Sequence, residues 1–156
     1  MRRIRSAVPA AVVMAGSLAA ASVAAGEQTI KQLMGDNFAG LQTILTSLIT
    51  SDYTKIPAQA DVIASHATQL TKAVPKSAEG SRDQFLALAF ALKTNAESLK
   101  SISEILMQHD QEQPGKTASL LADDALRASL AGHFAGVIVT CVSCHNQFRH
   151  TKVATP

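Results

Sequence analysis

Nothing in this chain alternates apolar and polar residues with period two for long enough to make a strand, which argues against any sheet-based fold. Internal repeats and low-complexity tracts are absent too. There is no Ser-His-Asp arrangement, no glycine loop to cradle a phosphate, and no cluster of metal ligands away from the C-terminal segment. Charge of one sign is also lacking. The whole chain carries +2, and once Arg2, Arg3 and Arg5 are set aside with the N-terminal segment they belong to, 11 lysines and arginines face 12 acids. No basic field remains to draw nucleic acid or anionic lipid. Cysteine is scarce: there are two, Cys141 and Cys144.

The three arginines head an apolar stretch from Ala7 to about Ala21, and small residues at Val23 and Ala25 follow. This order of basic head, apolar run and small-x-small site predicts a secretory signal peptide, residues 1–25, cut before Gly26. An uncleaved anchor is the competing reading, but the run is rich in Ala, Gly and Ser rather than Leu. No other segment reads as apolar enough to cross a bilayer, so no stable membrane insertion is expected after cleavage. The predicted compartment is the periplasm, and residues 26–156 read as one domain.

From Glu27 the pattern is helical almost throughout. Ile30, Leu33, Met34, Phe38, Leu41, Ile44, Leu45, Leu48 and Ile49 form a three- and four-step stripe on a first helix. Ser51 and Asp52 interrupt it and offer capping oxygens. A second helix runs from about Thr54 to Val74, with Pro57 tolerated in its first turn. Pro75 to Ser81 is a polar connection. The third helix carries Phe85, Leu88, Leu92, Ala96, Leu99, Ile102 and Leu106, and Gln111 to Thr117 reads as a loop. The fourth starts near Ser119 and is expected to bury Leu126, Leu130, Phe134, Val137, Ile138, Cys141 and Phe148. Helices of this length joined by short loops predict an all-α, antiparallel up-down-up-down four-helix bundle. The face carrying Leu41, Leu45 and Leu48 suits core packing and a homodimer contact equally.

Cys141-Val-Ser-Cys-His145 then stands near the end of the last helix. Cys-x-x-Cys-His is the attachment signature of a c-type haem: each thiol adds to one vinyl group, and the adjacent histidine binds the iron from one face. A redox dithiol would want a βαβ setting, a structural zinc would need further ligands, and a disulfide would close a very small ring. Export and covalent haem attachment agree, because the attachment takes place outside the bacterial cytoplasm.

Cys141-Val-Ser-Cys-His-Asn-Gln-Phe-Arg149 resembles the end of the cytochrome c-prime family, the class II c-type cytochromes. Leu33-Met34-Gly-Asp-Asn-Phe-Ala-Gly-Leu-Gln42 resembles the first helix of that family's methionine-ligated, low-spin branch, and Asp52-Tyr53 fits the opening of the second. The resemblance spans the mature chain and departs at Phe38 and Leu41, where the family often has Gly and Met. It implies one covalent haem c, His145 as proximal iron ligand and Arg149 near that histidine. Arg149 then either tunes the iron electrostatically or stabilises the last helical carbonyls.

Bundle topology ranks the candidates for the sixth ligand. Met34 lies about two turns into the first helix, level with His145. Met107 and His109 sit at the opposite end, about 25–30 Å off, and His133 about 18 Å along the fourth helix. His66 is mid-helix and His150 too near in sequence to reach the other face. Met34 is therefore the expected distal ligand, with packing on the porphyrin edge as the other reading. Histidine plus methionine raises the iron's potential and suits electron transfer. Without Met34 the iron would be five-coordinate, its open face lined by Ile30, Met34 and Phe38, as suits NO or CO. Phe85 is expected to wall the pocket and Phe148 to pack. His66, His109 and His133 read as structural, and Asp123 and Asp124 as partners of the helix dipole. The functional expectation is a periplasmic monohaem one-electron carrier, not an enzyme, that serves redox partner proteins.

Overall fold

The computed structural model describes residues 29–112 and 120–148, which form four α-helices and, among the described residues, no strand. These are α1 (Ile30–Thr50), α2 (Ile56–Lys72), α3 (Arg82–Glu112) and α4 (Leu120–Phe148). The protein is all-α. The signal-peptide expectation for residues 1–25, Arg149 and His150 fall outside the described residues.

Local chemistry sets the boundaries. Thr29 and Gln32 form a capping box: the Gln32 amide donates to Thr29 Oγ1 at 3.3 Å, and the Thr29 amide to Gln32 Oε1 at 2.8 Å. α1 ends on Ser51, which adopts the left-handed conformation (φ 55°) and donates its N–H to the last turn. Asp52 then accepts from the Thr54 amide at 3.2 Å and caps a tight turn at Tyr53–Lys55 that leads into α2. The Thr54 hydroxyl, which also donates to Asp52 Oδ1, and then the Thr54 amide hold its carboxyl below the usual carboxylate range. Lys76–Ser81 is a second tight turn rather than an open connection. α3 runs through Gln111 and Glu112, which were expected to open a loop; the rest of that expected loop lies outside the described residues. A helical turn already under way outweighs the polar composition of those residues.

Consecutive helices pack on one another, α1 on α2, α2 on α3 and α3 on α4. Asn37 pairs with His66 and Gly40 with Gln59 and Ile63 across the first interface. Lys100 reaches Asp61 at 2.9 Å across the second. Across the third, His109 meets Asp123, Asn95 meets His133, and Phe85 meets Phe148. The main core is built on Ile44, Ile56, Ile63, Leu99, Leu106, Leu130 and Val137, all fully buried. Each such side chain contributes about 1.5–3 kcal/mol by leaving water. α1 and α4 make no comparable contact and leave a gap between them.

Two expectations are corrected. The inner face of α1 is Leu33, Asn37, Gly40, Ile44 and Ser47, whereas Phe38 (63% exposed), Leu45 and Ile49 (74% exposed) point outward. Close approach decides this: a Cβ on Gly40 would lie 3.3 Å from Gln59 Oε1, so α1 turns its small side to α2. The second concerns α4. Its stretch Asp123–Phe148 is, by length and composition, long and apolar enough to cross a membrane, and little of it is buried in the bundle. After Arg127 no Asp, Glu, Lys or Arg occurs before Arg149, and Ile138, which was expected inside, lies at the edge with Val139 and Val142.

Candidate functional site

A second, smaller apolar cluster gathers the starts of α1 and α3 and the ends of α2 and α4. Leu33, Leu70, Ala78, Phe85, Ala89 and Phe148 are buried in it, with Ile30, Met34, Val74, Leu88 and Cys144 packed against them. The Phe85 and Phe148 rings meet edge to face at 5.5 Å and 78°. Gln147 donates a side-chain hydrogen bond to Gln84 beside them.

Two clefts open at this end. One runs between α3 and α4 and is lined by Met34, Leu70, Phe85, Leu88, Cys141, Cys144 and His145, among others; it holds about 340 Å³ of empty space including its mouth. The other fills the α1–α4 gap and is lined by Met34, Asn37, Phe38, Leu41, Ile138, Cys141, Val142 and His145, with about 560 Å³ on the same measure. Met34, Cys141 and His145 border both. Four helices therefore bring the expected residues to one place, although Met34 and His145 are far apart in sequence. Phe85 lines the first cleft, while Phe38 stands at the exposed rim of the second.

The thiols are free and half-buried. Burial pushes Cys141 above the ordinary thiol range, with a smaller push from Cys144, and burial alone raises Cys144. Both sit in the last turns of α4, at the helix end whose carbonyls disfavour a thiolate. A redox dithiol needs the opposite, a depressed pKa at a helix N-terminus. Among the described residues no group of three or more His, Cys, Asp or Glu side chains is arranged to hold a metal ion on its own. The groups that do line these clefts are two half-buried thiols, the half-buried thioether of Met34 and the exposed imidazole of His145, residue types that could attach and ligate a covalently held porphyrin iron.

The other candidates lie elsewhere. His109 binds Asp123 at 3.0 Å at the far end of the molecule, and His133 binds Asn95 at 3.1 Å midway along it. Asp123 is buried and paired, a fuller role than the dipole partner expected of it. His66 is buried and bonds Asn37 across the α1–α2 interface. Asn37 lines the α1–α4 cleft and escaped the sequence reading. Its signal was a polar residue one turn from Met34 and Leu33 inside an apolar helical spacing.

Comparison with protein-family models, with curated proteins and with solved structures finds no match for the chain.

Proposed function

We propose that the protein is an exported monohaem c-type cytochrome of the cytochrome c-prime kind, an antiparallel up-down-up-down bundle that carries single electrons between redox partner proteins. The observation that carries this reading is the meeting of Met34 with Cys141 and His145 at the walls of both clefts. The bundle topology is supported by the pairs across α3–α4 and α1–α2, whose residue numbers rise along one helix as they fall along its neighbour.

When bound, the haem would supply a one-electron iron couple. Cys141 and Cys144 would hold it through thioethers, His145 would ligate the iron from α4 and Met34 from α1. Phe85, Leu88 and Leu70 would exclude water from the buried side. The half-open α1–α4 rim at Phe38 and Val142 leaves an edge near solvent, as transfer to a partner requires. The empty space beside Met34 supports a second reading, a five-coordinate iron that takes NO or CO.

The deciding experiment is the visible spectrum of the matured protein, oxidised and then dithionite-reduced, before and after CO. Sharp, split reduced bands that CO leaves unchanged mean His–Met coordination and electron transfer. Broad high-spin bands that shift with CO favour the gas-binding reading, and a protein without covalent colour sinks both.

A further inference from the structure

Charge is distributed unevenly around the molecule. α2 and α3 carry solvent-exposed ion pairs, Lys100 with Asp61 and Lys93 with Glu97. α1 and α4 carry no Asp, Glu, Lys or Arg over residues 37–51 and 128–148, although many of those residues face outward. Large apolar side chains stand there instead. Phe38 is 63% exposed, Val142 52% and Ile138 37%, and all three line the α1–α4 cleft. Val139, 62% exposed, lies beside them on α4. Apolar residues scattered singly over a surface need no explanation, but four grouped at the rim of one cleft mark a contact surface.

Size and chemistry narrow what that surface meets. Four such side chains make a patch on the order of 300 Å², well short of the roughly 800 Å² per partner that a lasting interface buries and within the range of weak redox encounters. A charged partner face would lose hydration here without meeting a counter-charge. A lipid surface is met by apolar faces with a basic fringe, which these stretches of α1 and α4 lack. A protein face that is itself apolar and uncharged fits. A second copy of this chain presents one, and with Arg2, Arg3 and Arg5 set aside its 11 lysines and arginines nearly balance its 12 acids, so two copies repel little.

We propose that the rim at Phe38 and Val142 is the face through which the electron leaves, and that it docks transiently a redox protein whose own contact face is apolar and uncharged. This rests on the haem reading above, which seats the cofactor at the cleft that the rim borders. Between two copies the step is symmetric: the ferrous iron of one loses one electron, the ferric iron of the other gains it, and no bond or proton moves. Apolar contact at the rim, and not charge steering, then sets the encounter.

The test uses a second copy as the probe and follows electron self-exchange by NMR saturation transfer in mixtures of oxidised and reduced matured full-length protein. Phe38→Lys and Val142→Lys bring like charges together in the encounter, and each should slow exchange about tenfold or more at low salt, with partial recovery at high salt. Val62→Lys on α2, where Val62 is 41% exposed, adds the same net charge away from the rim and should change the rate by less than about twofold. Concentrating the fully reduced protein should shift amide signals around Phe38, Val139 and Val142 and leave those around Val62 in place. Should a rim variant lose its haem, Val139→Lys takes its place, since Val139 lines neither cleft. Covalent haem with unslowed exchange in the rim variants, or with equal slowing by Val62→Lys, overturns this inference alone. A lasting dimer in sedimentation, or binding to phosphatidylcholine vesicles, assigns the face to another occupant and overturns it as well. Absence of covalent haem overturns it together with the proposed function.

Discussion

Gly136 faces Asn95 so closely that an added Cβ would lie 2.6 Å from Oδ1. Asn95 is not free to retreat, because it bonds the Ala91 carbonyl at 3.0 Å and His133 at 3.1 Å. Gly132, on the same helix, has nothing within 4 Å of its added Cβ. Gly132→Ala should therefore raise unfolding stability by about 1 kcal/mol through helix propensity. Gly136→Ala should lower it by about 1 kcal/mol through lost hydrogen bonds, both read by urea denaturation. The cysteines make a second residue-scale case. Since burial keeps both thiols protonated, alkylation of the haem-free chain should be slow at neutral pH and accelerate only above the ordinary thiol range. The sign carries over to stability: a thiol pKa raised in the fold leaves stability intact at lower pH and erodes it as pH climbs past the unfolded value. A rate profile that levels off near neutrality would show exposed thiolates and contradict the site geometry. Met34→Ala is the third, and should turn a low-spin spectrum high-spin and open the iron to CO; an unchanged spectrum removes Met34 from the ligand set.

At the scale of elements, α1 shows where sequence reasoning stops. Its limits were legible, since the three- and four-residue steps begin at Ile30 and break at Ser51. The inward face was legible only in part: Leu33 and Ile44 are buried with Ile30, Met34, Leu41 and Leu48 packed beside the cores, but Phe38, Leu45 and Ile49 of the same stripe face out. Phe38, Leu45 and Ile49 outweigh Asn37, Gly40 and Ser47 in apolar area, and a hydrophobic pattern counts area. Packing instead follows the closest approach that α2 permits, and there a glycine and a hydrogen-bonded amide do better than a ring. The site was more legible because Cys141, Cys144 and His145 are contiguous, whereas Asn37 and His66 became partners only through the fold. α4 misled at one residue of its stripe: Leu130, Val137 and Phe148 are buried as expected, but Ile138 faces outward on a helix whose outer side is also apolar. Because α1 leans on α2 and only distantly on α4, its amides should exchange hydrogen faster than those of α2 and α3 in the haem-free chain. Haem attachment should slow α1 most. Equal protection before and after loading would mean that α1 does not close on the cofactor.

For the whole molecule, the two ends are separable. The cysteines, Met34 and the phenylalanine pair gather at one end, while His109 and Asp123 pair at the other, with the aliphatic core between. Asp123→Asn weakens that distant pair and should lower stability by about 1–2 kcal/mol. The visible spectrum and the CO response should stay as in the parent chain, since sites this far apart act independently. A changed spectrum would show coupling along the bundle.

The walls of the α1–α4 cleft come from the first helix and the last. On a chain made from its N-terminus, Cys141 and Cys144 emerge after α1, α2 and α3, and the cleft that Met34 and His145 share joins the first helix to the last. In the proposed cytochrome, haem delivery would therefore compete in time with closure of the helices around Cys141 and Cys144, because contacts of the widest sequence separation are the slowest to form.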